Sequence, residues 1–284
     1  MSKHAEDTPP SCRLAFAQLV RQPEAAIDLA EATLLIAKEE YPDLDVASYL
    51  TRLDAMSAEV QRLADGTLDP RRLIAALNEH LFQQLGFRGN AENYYDPKNS
   101  FFNEVLDRRT GIPITLSALY LEVGRRIGLP VHGVGMPGHF LVKCVGRDEE
   151  IVIDPFNAGG ILSDEDCQRI LDRIYHGKLC FERAMLSVIG TRQILTRILN
   201  NLKVIYFNNQ EYGKALSIVE RLLILHPQAA SEIRDRGLLS CQLKRYSEAS
   251  ADLERYLRLA PKADDSEVIR EHLRSLRQRV VSMN

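Results

Sequence analysis

Through the first third of the chain, apolar residues recur at steps of three and four. In SYLTRLDAMSAEVQRLAD, Leu50, Leu53, Met56, Val60 and Leu63 fall on one face of a helix. Asp69-Pro70 opens another, with Asp69 as N-cap and Pro70 at the first helical position. Its stripe is Leu73, Ile74, Leu77, Leu81 and Leu85, so the pattern reads as helical from Cys12 to Leu85. Residues 86–103, GFRGNAENYYDPKNSFFN, break the pattern. They read as a long ordered loop, either functional or a surface crossing held by its tyrosines. Pro113 then starts a helix whose buried face is Leu116, Leu119, Tyr120, Val123 and Ile127. The period next falls to two in VHGVGM, HFLVKCV and EIVIDPF, three short strands separated by Pro-Gly or charged turns. One helix followed by antiparallel strands predicts an α+β layer.

The last third is helical again and repeats itself. Tyr212 and Tyr246, Ala215 and Ala249, and Pro227 and Pro261 are each 34 residues apart. EYGKALSIVERLLILHP aligns with RYSEASADLERYLRLAP without a gap. Leu202 and Tyr206 fit the first helix of one repeat and Gly237 that of the next, with a capping helix over 266–281. A 34-residue period with small residues where paired helices meet resembles the tetratricopeptide repeat.

Composition narrows the field. The 284 residues allow about two domains, and 45% hydrophobic with 26% charged residues fits a globular protein with a sizeable core. The expected divisions are a mobile tail over 1–11, a helical segment plus α+β core over 12–185, and helical repeats over 190–284. A net charge of −3 gives no general pull toward nucleic acid or an anionic membrane. The first residues, MSKHAEDTPPSCRLAF, lack the apolar run of a signal peptide, and no stretch is long and apolar enough to span a bilayer. The five cysteines, Cys12, Cys144, Cys167, Cys180 and Cys241, are scattered without a C-x-x-C pair. That argues against zinc or a disulfide framework and for a reducing cytoplasm.

The candidate chemistry lies in GIPITLSALYLEVGRRIGLPV and the strands after it. His139 comes after a Pro-Gly turn, and Asp154 closes a strand fifteen residues later in I-D-P-F. The order of helix, His at a strand start and Asp-Pro at a strand end resembles the transglutaminase-like branch of the papain-like fold. In that superfamily a cysteine at the helix N-terminus is the nucleophile, the histidine its base and the aspartate the base's orienter. With Gly111 and Gly128 set on the family's two glycines, the cysteine position falls on Pro113. Pro113 suits a first helical turn and carries no thiol. Cys144, five residues after His139, points to the opposite face of its strand. Thr115 is rotated about 200° from Pro113; Ser117, one turn on and on nearly the same face, is the better hydroxyl.

Over about residues 35–260 the sequence resembles a bacterial family, the Sir-B-type transglutaminase-like proteins. Residues 97–130, 133–143 and 153–160 carry the likeness. The resemblance implies an α+β fold: a helical N-terminal segment, a papain/transglutaminase-like core (helix packed on a small antiparallel sheet) and C-terminal all-α tetratricopeptide-like repeats. His139 and Asp154 are then triad remnants. Asn99, Ser100, Asn103, Glu104, Asp107, Arg108 and Arg109 crowd the approach to the helix. They are either a capped, ion-paired junction with Glu104 and Arg108 as i,i+4 partners, or a polar rim. In the second case Asn99, Asn103, Glu104, Arg108, Arg109 and Ser117 line the cleft, with an arginine gripping a carboxylate or phosphate. The remaining histidines show no metal-ligand spacing, and no cofactor or metal is expected. The favoured function is a non-catalytic protein-binding or scaffold module acting through its cleft and repeats on a protein or peptide. The alternative is a hydrolase or amide-group transferase of altered chemistry, using His139 as base and Asp154 as its orienter. A metal enzyme built on His139, Asp154 and Glu104 is a third reading.

Overall fold

The structure is a computed structural model and describes residues 11–146 and 149–283. The tail expected over 1–11 lies outside the described residues except for Ser11, the first residue of α1 (Ser11–Val20). The protein divides into two compact units, the first ending at Ile198 and the second beginning at Leu199.

The first unit opens with α1, α2 (Leu29–Lys38), α3 (Val46–Leu63) and α4 (Pro70–Asn78). An aspartate caps each of the last three: Asp28 accepts from Glu31 N–H, Asp45 from Ala47 N–H and Asp69 from Arg71 N–H. Each such cap contributes about 1 kcal/mol. The stripe expected to run unbroken to Leu85 is instead divided. After Asn78 the backbone widens into a π-helical turn, Glu79–Gln84, in which Leu85 N–H reaches back to His80 O. Phe82 of that turn stacks on Tyr120, with ring centroids 6.3 Å apart.

The expected loop over 86–103 carries more order than its composition suggests. It contains β1 (Arg88–Gly89) and a 3₁₀ turn, Pro97–Asn99, before α5 (Phe102–Arg108). β1 pairs in parallel with β2 (Thr110–Gly111). The central helix, α6 (Pro113–Arg126), begins at the expected proline, and twelve of its fourteen residues are buried. Beside it lies one antiparallel sheet of order β6-β5-β4-β3-β7. β3 (Val131–Val134), β4 (Leu141–Val145) and β5 (Glu150–Asp154) are the expected strands. β6 (Gly160–Leu162) and β7 (Val188–Ile189) extend the two edges and are too short to announce themselves by alternation. α7 (Asp164–Tyr175) buries Cys167 and Leu171 against Val134, Leu141 and Val152 of the sheet.

The division between the units falls inside α8 (Thr191–Asn208). α9 (Tyr212–Leu225), α10 (Ala230–Gln242), α11 (Tyr246–Leu259) and α12 (Ser266–Met283) complete the second unit. The small residues that mark the repeat sit at helix contacts. Ala215 and Ala249 have no exposed surface, and a Cβ at Gly237 would lie 2.9 Å from the Leu253 side chain and 3.3 Å from Ala249 O. Arg236 reaches Asp252 through two bonds of 2.6 and 2.7 Å across the same contact. Val204, Phe207 and Val268, about half exposed, line a groove of 440 Å³ floored by Leu238, Leu239 and Ile269. Lys203, Arg234, Asp235 and Asp265 edge it; Lys203 bonds Asp235 and Arg234 bonds Asp265. No helix among the described residues is long and apolar enough to cross a membrane.

Gly237→Val forces α10 and α11 apart, because its methyls have no space beyond the Cβ. We expect a loss of about 1–3 kcal/mol, read as an earlier urea transition of the repeat unit.

Candidate functional site

Asp154 ends β5 with no exposed surface and caps the 3₁₀ turn Pro155–Asn157. Its carboxylate accepts from Phe156 N–H at 3.0 Å, from Asn157 Nδ2 at 2.7 Å and from His139 Nε2 at 3.0 Å. Burial alone pushes the Asp154 pKa up. The donors of His139, Asn157 and Phe156 outweigh it and hold the group below the ordinary aspartate range.

His139 is delivered by the turn before β4. Gly138 takes a left-handed φ of +71°, and His139 N–H bonds Met136 O at 3.2 Å. Phe156 meets the imidazole edge-on, with centroids 6.0 Å apart. Phe156 itself lies on Gly89, where a Cβ would be 2.5 Å from the ring. Asn78 ties down the segment after Asp154. It donates to Gly159 O at 2.9 Å and accepts from the buried Tyr120 hydroxyl at 3.0 Å. The ring is therefore held on Nε2, while Nδ1 makes no hydrogen bond to the described residues, and the side chain keeps 9% of its surface. An imidazole so fixed can accept or donate a proton at Nδ1 for a group brought to it.

Among the described residues, neither Cys144 nor Cys167 is a thiolate poised for that place. Ser117 Oγ lies 3.5 Å from Phe140 O, so this face of α6 turns toward the start of β4, and Pro113 sits one turn earlier on it. Cys144 is sealed near Tyr120, and burial raises its pKa. Cys167 is buried in the core with a pKa pushed up to about 11, first by burial and then by Asp164 and Asp166. Both are thiols, not thiolates, at neutral pH. Ser117 is itself fully buried, which removes it from a cleft rim and from attack on a substrate.

The other expected rim residues serve the junction in front of α6. Asn99 is fully buried. It holds the preceding loop through Asn93 O and Asn90 Nδ2, and its carbonyl accepts from Thr115 Oγ1 at 2.7 Å. Asn103 and Ser100 are buried beside it, with Asn103 Oδ1 and Ser100 Oγ unbonded. The expected Glu104–Arg108 pair does not form. Arg108 pairs with Asp96 at 3.1 Å, and Glu104 bonds Tyr41, whose pKa rises through burial and then Glu104. Arg109, in a left-handed cap with φ of 53°, donates to Leu85 O. Asp107 is taken by Arg52 and Tyr49. None of these side chains bonds His139 or Asp154, and among the described residues no group of three His, Cys, Asp or Glu could hold a metal ion. Glu104 in particular is engaged away from the pair.

Sequence reasoning misses Asn78, Phe156, Asn157 and Arg197. Arg197, on α8, donates from Nη2 to His139 O at 3.2 Å and Met136 O at 3.4 Å, and its guanidinium lies 5.4 Å over the Phe140 ring. The available signal is an arginine among Ile194, Leu195 and Ile198, all buried.

A sequence profile described as the transglutaminase-like superfamily matches residues 47–200, and one for the tetratricopeptide repeat matches residues 202–274. The protein is 39% identical over 257 residues to a UPF0162 protein of Xylella fastidiosa, an alignment spanning 88% of this sequence and 90% of that one. It is 28% identical over 253 residues to a UPF0162 protein of Vibrio cholerae, at 88% and 93% coverage. It is also 30% identical over 201 residues to mouse F-box only protein 21, spanning 68% of this sequence and 30% of that protein.

Two measurements probe the site. Asn78→Ala strands the buried Tyr120 hydroxyl and releases Gly159 O, so we expect a loss of about 1–3 kcal/mol in urea unfolding. Asp154 is held below its ordinary pKa, so the folded state binds fewer protons than the unfolded one as acid is added. The stability it contributes is complete above about pH 3.9 and lost as pH falls through the lower folded value. Asp154→Asn should flatten the urea midpoint's pH dependence in that acid window relative to wild type.

Proposed function

The chain belongs to the transglutaminase-like superfamily, and we propose that it is a protein-binding module rather than a thiol transamidase or thiol protease. The observation that carries this reading is the repeat unit's groove. Val204, Phe207 and Val268 present apolar surface to solvent around a 440 Å³ hollow, with charged side chains along its edge. That combination suits an amphipathic peptide or helix of a partner. Pro113 at the head of α6 and the sealed thiols of Cys144 and Cys167 argue against thiol chemistry. The motif over 97–130 supports placing the protein with the Sir-B-type members, and its scattered free cysteines support a reducing, cytoplasmic setting.

A second reading has its own support. His139 Nε2 is committed to Asp154 and Nδ1 is not bonded, which suits a general base acting on water. This reading makes the protein a hydrolase or amide-group transferase without a thiol. Turnover of an acyl or amide substrate would then vanish in His139→Ala with the fold intact; equal turnover in both proteins removes the idea.

The binding reading is tested by cross-linking with cell extract and mass spectrometry. Phe207→Glu with Val268→Glu should lose the partners that wild type captures, and His139→Ala should keep them; identical capture by all three proteins would overturn the groove's role. In parallel, incorporation of a fluorescent primary amine into a glutamine peptide should stay at background. Activity sensitive to iodoacetamide would contradict the proposal.

A further inference from the structure

Arg197 differs from several other arginines of the first unit. Arg192, five residues earlier on α8, bonds Glu24 at 2.5 Å; Arg108 has Asp96, and Arg126 has Glu122 and Asp54. Arg197 has no Asp or Glu within ion-pair distance among the described residues. Its electrostatic neighbours are two phenols, Tyr94 and Tyr175. Burial disfavours its charge more than these phenols support it, and burial also keeps Tyr94 in its neutral form.

The geometry leaves one end of the guanidinium unused. Nη2 is spent on the carbonyls of His139 and Met136. Nη1 makes no bond to the described residues, and it is not sealed in the way Ser100 Oγ and Asn103 Oδ1 are. It lies over bare backbone at Gly135, where a Cβ would be 2.5 Å from it. A partly buried cation with an open donor and no counter-charge is costly unless something anionic meets it. The carbonyls that anchor it belong to Met136 and His139, so Arg197 is held on the turn that delivers His139 to Asp154.

We infer that Arg197 binds a carboxylate of a polypeptide partner through Nη1, while Nη2 stays anchored on the turn that carries His139. This deepens the binding reading of the protein by naming a contact apart from the repeat groove, and rests on that reading only for the protein having a polypeptide partner. The carboxylate has two possible sources, an acidic side chain or the C-terminus of a polypeptide. Arg108 and Arg109, which the sequence offers for such a role, are engaged by Asp96 and by Leu85 O.

Three small probes test it by calorimetry on the full-length protein at constant ionic strength. N-acetylalanine offers a terminal carboxylate, N-acetylglutamate α-methylamide a side-chain carboxylate, and N-acetylglutamine methylamide neither. Wild type should bind at least one acid saturably and at least tenfold more tightly than the uncharged amide, and the tighter acid identifies the source. Arg197→Met should weaken that acid at least tenfold, and Arg197→Lys by less because it keeps a point charge. Should Arg197→Met fail to fold, Gly135→Ala displaces Nη1 with the arginine retained, and the same weakening is expected. Equal binding of the amide, unsaturating heats, or unchanged affinity in a folded Arg197→Met or Gly135→Ala protein would overturn the assignment. If acid binding survives but the groove variants still capture every partner, the repeat reading fails and this one stands. The reverse result removes this one alone.

Discussion

α6 has almost no surface of its own, and that constraint organises the first unit. A helix buried on nearly every side cannot turn its polar residues to water, so each must find a partner among its neighbours. Thr115 bridges Ile112 N–H and Asn99 O, fixing the loop in front of the helix. Tyr120 reaches Asn78, which in turn holds Gly159 beyond β5. Glu122 lies in the packed interior, where burial pushes its carboxyl up although Arg126 and Arg125 oppose the shift. The polar side chains of one helix therefore set the loop before it and the segment after Asp154. The position of the His139–Asp154 pair follows from that framework.

Electrostatics then decide what the pair can be. A carboxylate with no exposed surface is tolerable only if donors surround it, and Asp154 has three. Two of them, Phe156 N–H and Asn157 Nδ2, come from the turn it caps, so the strand end supplies most of its own compensation. The third fixes the imidazole by Nε2 and leaves Nδ1 without a hydrogen bond to the described residues. Nothing in this scaffold requires a thiol opposite. Proline at the first helical position has no N–H to leave unpaired and a preset φ, so α6 starts as well with Pro113 as with cysteine.

Periodic features are legible in the sequence, and close approaches between distant segments are not. The 34-residue repeat, the start of α6 at Pro113, the Asp69 cap and the three central strands follow from spacing alone. The π-helical turn is hidden because Leu77, Leu81 and Leu85 keep an unbroken four-residue step through it. β1, β6 and β7 hold two or three residues each, too few for alternation to register. At the site, spacing singles out His139 and Asp154, and the structure brings them to 3.0 Å. The polar residues over 99–109 suit either a junction or a rim by sequence, and their bonds are those of a junction. The Glu104–Arg108 spacing suits a helical pair, but Tyr41 and Asp96, far off in sequence or in the preceding loop, compete successfully for both. Arg197 escapes sequence reasoning because its meaning lies in a contact with a residue 58 positions away.

The packing of the first unit does not by itself call for the charges gathered around His139. A buried ion pair is a poor way to gain stability, since apolar groups of similar volume generally do as well or better. Asp154 with His139 is at least internally compensated. Arg197 is not: it places a partly buried cation against two carbonyls and an aromatic ring, with the phenols of Tyr94 and Tyr175 as its electrostatic neighbours. The carbonyls it anchors hold the turn that presents His139, and a neutral donor could hold them with less desolvation. The part of the guanidinium that carbonyl bonding does not explain is its net charge. An occupant with negative charge accounts for that charge, for the unused Nη1 and for the bare backbone at Gly135 together, whereas a purely structural role accounts for Nη2 and for the contact with the Phe140 ring.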